Sequence, residues 1–317
     1  MDDSYNLCQR LFKKHYKNYY LLALSLPFNQ FKQVCSISGF VITAHKRFEK
    51  INLINFIYDF FTLYDLIKLS KLDEKDWYKY HPIMEAVFNT IDELNLPREL
   101  FERFFNSMKM DLNKYNYKTF TELEEYMDGS ASTIGEMILY IIVQNNIKSY
   151  DKIKIRKLLP YSNDLSIAIQ LTNIIGNIGN ISINSINSIN SINNELHTPI
   201  YIPTYFLDCY TIDLIEYNTN KIVDNNFKDF VKCQLNLNRE IYNNSQYGIN
   251  ELEPEHIEII QTVKNLNSLK LNKIEDNNYN MFYSNNQTYY EQVIIMYNTL
   301  SYKTMFKIVF NYVYYTL

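Results

Sequence analysis

Apolar residues recur at intervals of three and four along most of the chain, the signature of helices that each bury one face. Leu53, Phe56, Ile57, Phe60, Phe61 and Tyr64 form one such stripe, and Met137, Ile138, Tyr140, Ile141 and Ile142 form another. Prolines punctuate the pattern. Pro27 follows the first long segment, Pro97 opens the segment beginning Arg98-Glu-Leu-Phe, and Pro160 precedes the next helix. Strand-like alternation bounded by Asn-Gly or Asp-Gly turns is almost absent. The pattern predicts an all-α fold of roughly ten or more helices at the usual mean helix length.

One stretch has no packing logic of its own. Residues 182–193 are four copies of Ser-Ile-Asn, flanked by Gly176, Gly179 and further Asn. A period of three is too short for a solenoid, and Asn-rich tracts are normally exposed. It reads as a low-complexity loop insertion at about 177–195, inside a single domain spanning 1–317.

Composition narrows the class. The 317 residues are 47% hydrophobic and 21% charged, well above the apolar content of a disordered chain. With 31 basic against 35 acidic side chains and no basic block, the chain lacks the footprint of a nucleic-acid binder. No uninterrupted apolar run reaches the ~18 residues of a spanning helix. Cys8, Cys35, Cys209 and Cys233 show no metal-ligand spacing and read as buried free thiols in a reducing compartment. The start Met-Asp-Asp-Ser resembles neither a secretory leader nor an Arg-rich presequence, so the expected location is the cytoplasm, with mitochondria as the alternative. The Tyr-rich stretch Phe306–Leu317 reads either as an apolar patch for a membrane or partner or as a last core helix.

Several separated blocks, in order, resemble the squalene/phytoene synthase family. They begin with Tyr5-Asn-Leu-Cys8 and His15-Tyr-Lys-Asn-Tyr19 leading to Leu26-Pro27. Met108-Lys-Met-Asp111, Tyr126-Met-Asp-Gly-Ser-Ala131 and Ile134-Gly135 follow, then Gln170-Leu-Thr-Asn173 and Ile200-Tyr-Ile-Pro203. Cys233-Gln-Leu, Tyr242 to Gly248 and Ile274 to Phe282 complete the match. The resemblance implies an all-α, single-domain isoprenoid synthase fold, with helices around a central cavity. It also implies head-to-head joining of two prenyl diphosphates, with Mg²⁺ held by two Asp-rich motifs to neutralise the leaving diphosphate.

The sequence departs from the family where that chemistry resides. Aligned on Phe40 and Ala44, the first motif's acidic positions become His45, Lys46 and Glu49, and its Arg becomes Ile42. Where the family reads Arg-Asp-Val-Gly-Glu-Asp, this chain has Gly176, Asn177, Ile178, Gly179, Asn180 and Ile181. The Ser of the His-Ser-Lys-Ser-Phe element is Tyr16, the Arg before Tyr201 is Pro199, and a basic pair expected after Phe282 is Ser284-Asn285-Asn286. Metal-binding carboxylates and phosphate-binding cations are thus depleted together.

The candidate catalytic remnants are Glu49 and Asn177, with Glu49 the one carboxylate left for a metal. Lys17, Tyr126, Gln170 and Asn173 are the candidate substrate-binding residues, the last two expected to face the cavity from a buried helix. Asp111 and Glu122, with Tyr117 and Tyr126, are read as a structural helix junction, and His45 as a partner-bonded side chain on a helix face. Asp59 and Asp65, six apart, point to different faces and do not rebuild the first motif. The resulting expectation is a family member that has lost catalysis and binds an isoprenoid, another lipid or a protein partner, as the family's complex I assembly factor does without catalysing. Peripheral membrane contact is part of that expectation; nucleic acid and cofactors are not. The alternative is an active, Mg²⁺-dependent prenyltransferase making phytoene or squalene, and the sequence leaves open whether the protein is an enzyme.

Overall fold

The computed structural model describes residues 2–46, 50–69, 82–114, 116–146, 149–181, 200–282 and 287–314. Helices dominate them: α1 (Asp2–His15), α2 (Lys17–Ala23), α3 (Phe28–His45), α4 (Lys50–Lys68), α5 (Met84–Leu94), α6 (Arg98–Asn113), α7 (Phe120–Met127) and α8 (Thr133–Ile142). After a hairpin of β1 (Gln144–Asn146) and β2 (Ser149–Tyr150) come α9 (Lys152–Gly176), α10 (Thr204–Cys209), α11 (Leu214–Asn220), α12 (Asn225–Asn250), α13 (Pro254–Asp276), α14 (Tyr289–Thr299) and α15 (Tyr302–Tyr314). The all-α expectation holds, with one small hairpin that the periodicity did not indicate.

Pro160 lies inside α9, not before a new helix. Asp151 starts that helix upstream, its carboxylate accepting from the backbone N–H groups of Ile153 and Lys154 at 2.9 and 3.0 Å. The proline leaves the Arg156 carbonyl without an intrahelical partner, and both residues are exposed, so water can satisfy it.

The chain divides into two compact units. The first comprises Met1–Phe105, Glu136–Lys157 and Leu300–Leu317. Its core is aromatic. Phe40 of α3, with no exposed surface, has the rings of Phe60, Phe101, Phe104 and Phe105 within 5.2–5.5 Å. Polar side chains pin these helices: Gln30 Nε2 donates to the Ile141 carbonyl at 3.0 Å, and Ser36 Oγ to the Ala86 carbonyl at 2.9 Å. Cys8 and Cys35 are buried in this unit as expected, and burial pushes the Cys8 thiol up to about 12. In the second unit Cys233 of α12 is half-buried, and Cys209 is exposed because α10 is a short surface helix with no buried residue.

Of the two readings of the C-terminal stretch, the surface one describes α15. Asn311 Nδ2 donates to the Leu24 carbonyl at 2.7 Å, and Lys13 Nζ sits 4.7 Å from the Tyr312 ring centroid. The opposite face leaves Phe306, Val309, Phe310, Val313 and Tyr314 exposed, with Phe310 stacked between Phe306 and Tyr314. No described helix is long and apolar enough to cross a membrane.

The second unit comprises Asn106–Gly135 and Leu158–Thr299. Its core gathers Ala168, Leu171 and Ile175 of α9, Phe227, Phe230 and Leu235 of α12, and Leu271 and Ile274 of α13. A buried polar network crosses that core: Asn238 Nδ2 donates to Thr172 Oγ1 at 2.9 Å, and Thr172 and Tyr242 hydroxyls meet at 3.0 Å. Ile178–Asn180, at the start of the expected loop insertion, is a 3-10 turn whose Ile178 is fully buried in this core. The Ser-Ile-Asn repeats themselves lie outside the described residues.

Candidate functional site

Two clusters in the second unit carry the chemistry. The first is built on Asp111, near the end of α6. Backbone pairing between 116–118 and 200–205 sets its surroundings: Asn116 and Ile200 form a parallel bridge, and Thr204 N donates to the Tyr117 carbonyl at 2.9 Å. This places Tyr201 over Asp111, to whose Oδ1 its hydroxyl donates at 2.8 Å. Tyr126 of α7 donates to Oδ2 at 3.2 Å.

The rings of Tyr126 and Tyr201 stack at 5.1 Å, and Tyr117 stacks on Tyr201 at 6.0 Å. Burial drives the Asp111 carboxyl up to about 6, against the opposing effect of the two phenol donors. The same burial pushes Tyr117, Tyr126 and Tyr201 above the ordinary phenol value, so all three phenols are neutral. The Tyr117 hydroxyl is buried with no hydrogen-bond partner among the described residues. The three rings pack into the unit's core, Tyr117 and Tyr126 buried, around a carboxyl that burial raises to about 6.

Local sequence explains why α7 delivers Tyr126 here. Thr119 caps the helix, accepting from Glu122 N at 3.2 Å, and Glu122 turns back to accept from Lys118 N at 2.9 Å. Glu122 is thus a capping residue, as the helix-junction reading expects. Asp111 belongs to the polar pairing with Tyr126 and Tyr201. A π-helical turn, Asp128–Ser132, follows α7 directly, a local widening frequently found at functional positions.

The second cluster is the end of α9. Gln170, Asn173 and Asn177 stand three and four residues apart, on one side of that helix and its first following residue. Gln170 is half-buried, whereas Asn173 and Asn177 are exposed. Leu171, Thr172 and Ile175 occupy the buried side, and Asn173 stands on the opposite, exposed side of the helix. Beyond Asn177, Asn180 N donates to the Asn177 carbonyl at 2.9 Å and closes the 3-10 turn.

Gly179 lets the residues after α13 approach this turn, and Gly176 lies against a side chain of α13. A Cβ at Gly179 would overlap the Met281 carbonyl, and one at Gly176 would overlap Lys270 Cε and Nζ. The Lys270 ammonium therefore lies against the last turn of α9, where the helix presents unsatisfied carbonyls. Burial lowers its pKa from the ordinary lysine value.

The remaining candidates lie in the first unit or outside the described residues. Lys17 is exposed at the first position of α2. His45 is half-buried, its ring edge-on to Phe104 at 5.9 Å, and burial lowers its pKa. Asp65 is engaged by Arg98 at 2.6 Å. Glu49 lies outside the described residues, so the site brings no metal ligand of the first motif into view. A carboxylate-held Mg²⁺ does not fit the second motif. Residues 176–181 carry no carboxylate, a lysine ammonium rests on their first residue, and nowhere among the described residues do three His, Cys, Asp or Glu side chains converge.

Tyr201 and Lys270 are the participants that sequence reading left without a role. Tyr201 stands in the Ile200–Pro203 block, but nothing local indicates Asp111 as its partner. Lys270 is one more lysine on a helix until the glycine at 176 is seen beneath it.

The fold is the all-α isoprenoid synthase fold. The structure superposes on a dehydrosqualene synthase crystallised with ligand (TM-score 0.76, 15% identity, 94% of this chain and 95% of that one). It also superposes on squalene synthase HpnC from Alicyclobacillus acidocaldarius (TM-score 0.68, 17% identity, 87% and 95%). In sequence the chain is 23% identical to a phytoene synthase from Arthrospira platensis over 292 residues, 88% of this chain and 86% of that protein. The squalene/phytoene synthase family model matches residues 12–291, and the chain belongs to that family.

Proposed function

We propose that this protein is an isoprenoid-binding member of its family that no longer condenses prenyl diphosphates. The observation that carries this reading is the end of α9, where the family's second acidic motif is Gly176-Asn-Ile-Gly-Asn-Ile181 and a lysine ammonium lies on Gly176. Ionising a prenyl diphosphate requires charge stabilisation of the departing diphosphate, and in this family that falls to carboxylate-held Mg²⁺. Amides bring no charge to hold the metal, and each electrostatic contribution of this kind is worth several kcal/mol of barrier, roughly 10²–10³ in rate. What supports retained binding is the family fold, which this chain shares with a dehydrosqualene synthase crystallised with ligand. The relatives named phytoene and squalene synthase, and the ligand-bound dehydrosqualene synthase, make isoprenoids the substrate class to test.

The test pairs binding with turnover. Farnesyl diphosphate and farnesol are titrated against the purified protein by calorimetry, and labelled geranylgeranyl or farnesyl diphosphate is incubated with protein, Mg²⁺ and NADPH. Saturable binding without apolar product is expected. Squalene, phytoene or a cyclopropyl intermediate above the no-protein background overturns the loss of catalysis, and absence of binding by either ligand overturns isoprenoid recognition.

A further inference from the structure

We infer that Lys270 is a built-in cation at the end of α9 that binds the phosphate end of an isoprenoid ligand without a divalent metal. The inference rests on the isoprenoid-binding reading and assigns a role to a residue outside the motifs of the sequence.

Four observations converge on it. First, the ammonium is in the right place: it lies against Gly176, the residue that stands where the resembled motif begins with Arg, one residue before Asn177. Second, a Cβ at 176 would overlap Lys270 Cε and Nζ, the mobile end of that side chain, so any larger residue there would displace the ammonium from this position. With glycine, a positive charge reaches this turn from α13. Third, the charge is uncompensated locally. Lys270 makes no ion pair or hydrogen bond among the described residues, burial alone perturbs its pKa, and residues 176–181 contain no acid. Fourth, the nearby side chains are amides. Asn173 and Asn177, exposed on the same end of the helix, supply N–H donors that an anion can use and that repel no phosphate oxygen.

A lysine is a competent phosphate partner as a compact point charge. An ammonium beside the carboxylate-free turn would compete with a divalent cation for the same anion and disfavour the cation by like-charge repulsion. The predicted behaviour is therefore the opposite of a metal-dependent site: anion binding that is indifferent to Mg²⁺. A lysine serving only to complement the α9 carbonyls would give no such binding.

Inorganic pyrophosphate is the probe, titrated by calorimetry in EDTA and again in Mg²⁺, alongside farnesyl diphosphate and farnesol. The wild-type protein is expected to bind pyrophosphate and farnesyl diphosphate with Kd values within about threefold in the two buffers. Lys270→Met should weaken both by tenfold or more, about 1.4 kcal/mol, while farnesol binding is unchanged. Lys270→Arg should stay near wild type. Gly176→Ala keeps the charge but displaces the ammonium, so it should weaken pyrophosphate as well, and it serves if Lys270→Met fails to fold. Pyrophosphate binding that requires Mg²⁺, or that survives both Lys270→Met and Gly176→Ala, overturns the inference. Farnesol binding with no pyrophosphate binding refutes the role of Lys270 and leaves isoprenoid recognition standing, whereas failure of farnesol and farnesyl diphosphate alike refutes both.

Discussion

Tyr201 donates its phenolic hydrogen to Asp111 at 2.8 Å from a segment remote in sequence, and the pair stands at the centre of a three-tyrosine panel. The bond has a measurable consequence, because the carboxyl it reaches is buried enough to titrate near pH 6.

The folded state holds the Asp111 proton more tightly than the unfolded chain, where the group titrates near 3.8. Its contribution to stability is therefore full below about 3.8 and is lost as pH rises through about 6. Asp111→Asn cannot ionise. Its stability relative to wild type should rise between pH 4 and pH 8 by about 1–3 kcal/mol, read from urea unfolding at each pH. A difference independent of pH would show that Asp111 is not held protonated by burial.

Removing the donor acts in the other direction. Tyr201→Phe leaves the ring stack but deprives the carboxylate of its shorter hydrogen bond. The expected cost is about 2 kcal/mol at pH 8, where the bond is charge-assisted, and about 1 kcal/mol at pH 4. An equal cost at both values would mean that the hydroxyl matters only as a neutral partner.

Phe40 anchors the aromatic core of the first unit, with four phenyl rings around it. Phe40→Ala should lower stability by about 3–5 kcal/mol through lost burial and the cavity left behind. A loss below about 1 kcal/mol would mean that the site collapses without a void, contrary to the packing described.

Thr172 links α9 to α12 through Asn238 and Tyr242. Thr172→Val keeps the shape and removes the acceptor of Asn238 Nδ2, with an expected cost of about 1–3 kcal/mol for a buried donor left unmade. Thr172→Ser, which retains the hydroxyl, should cost less; the reverse order would assign the residue's value to its methyl group.

The exposed face of α15 should tolerate polar change. Phe306→Ser with Phe310→Ser is expected to shift stability by no more than about 0.5 kcal/mol per site while reducing binding of a hydrophobic dye. A large destabilisation would place these rings in the core.

Helix periodicity and the ordered blocks were enough to read the fold class and the family, because each depends on local pattern. Helix boundaries were less legible: Pro160 suggested a break, but Asp151 had already set the start of α9. The substitutions in the acidic motifs were visible residue by residue, and Tyr126 was correctly grouped with Asp111. Their geometry was not legible, since Tyr201 and Lys270 reach their partners across long sequence separations. Gly176 looked like flexible-loop composition beside the Ser-Ile-Asn repeats. Its contact with the Lys270 side chain exists only in three dimensions.

The most direct test is the extraction assay with labelled farnesyl or geranylgeranyl diphosphate, Mg²⁺ and NADPH, run beside an intact family member. The proposed function predicts no apolar product. Recovery of squalene, phytoene or a cyclopropyl intermediate from the wild-type protein would contradict it.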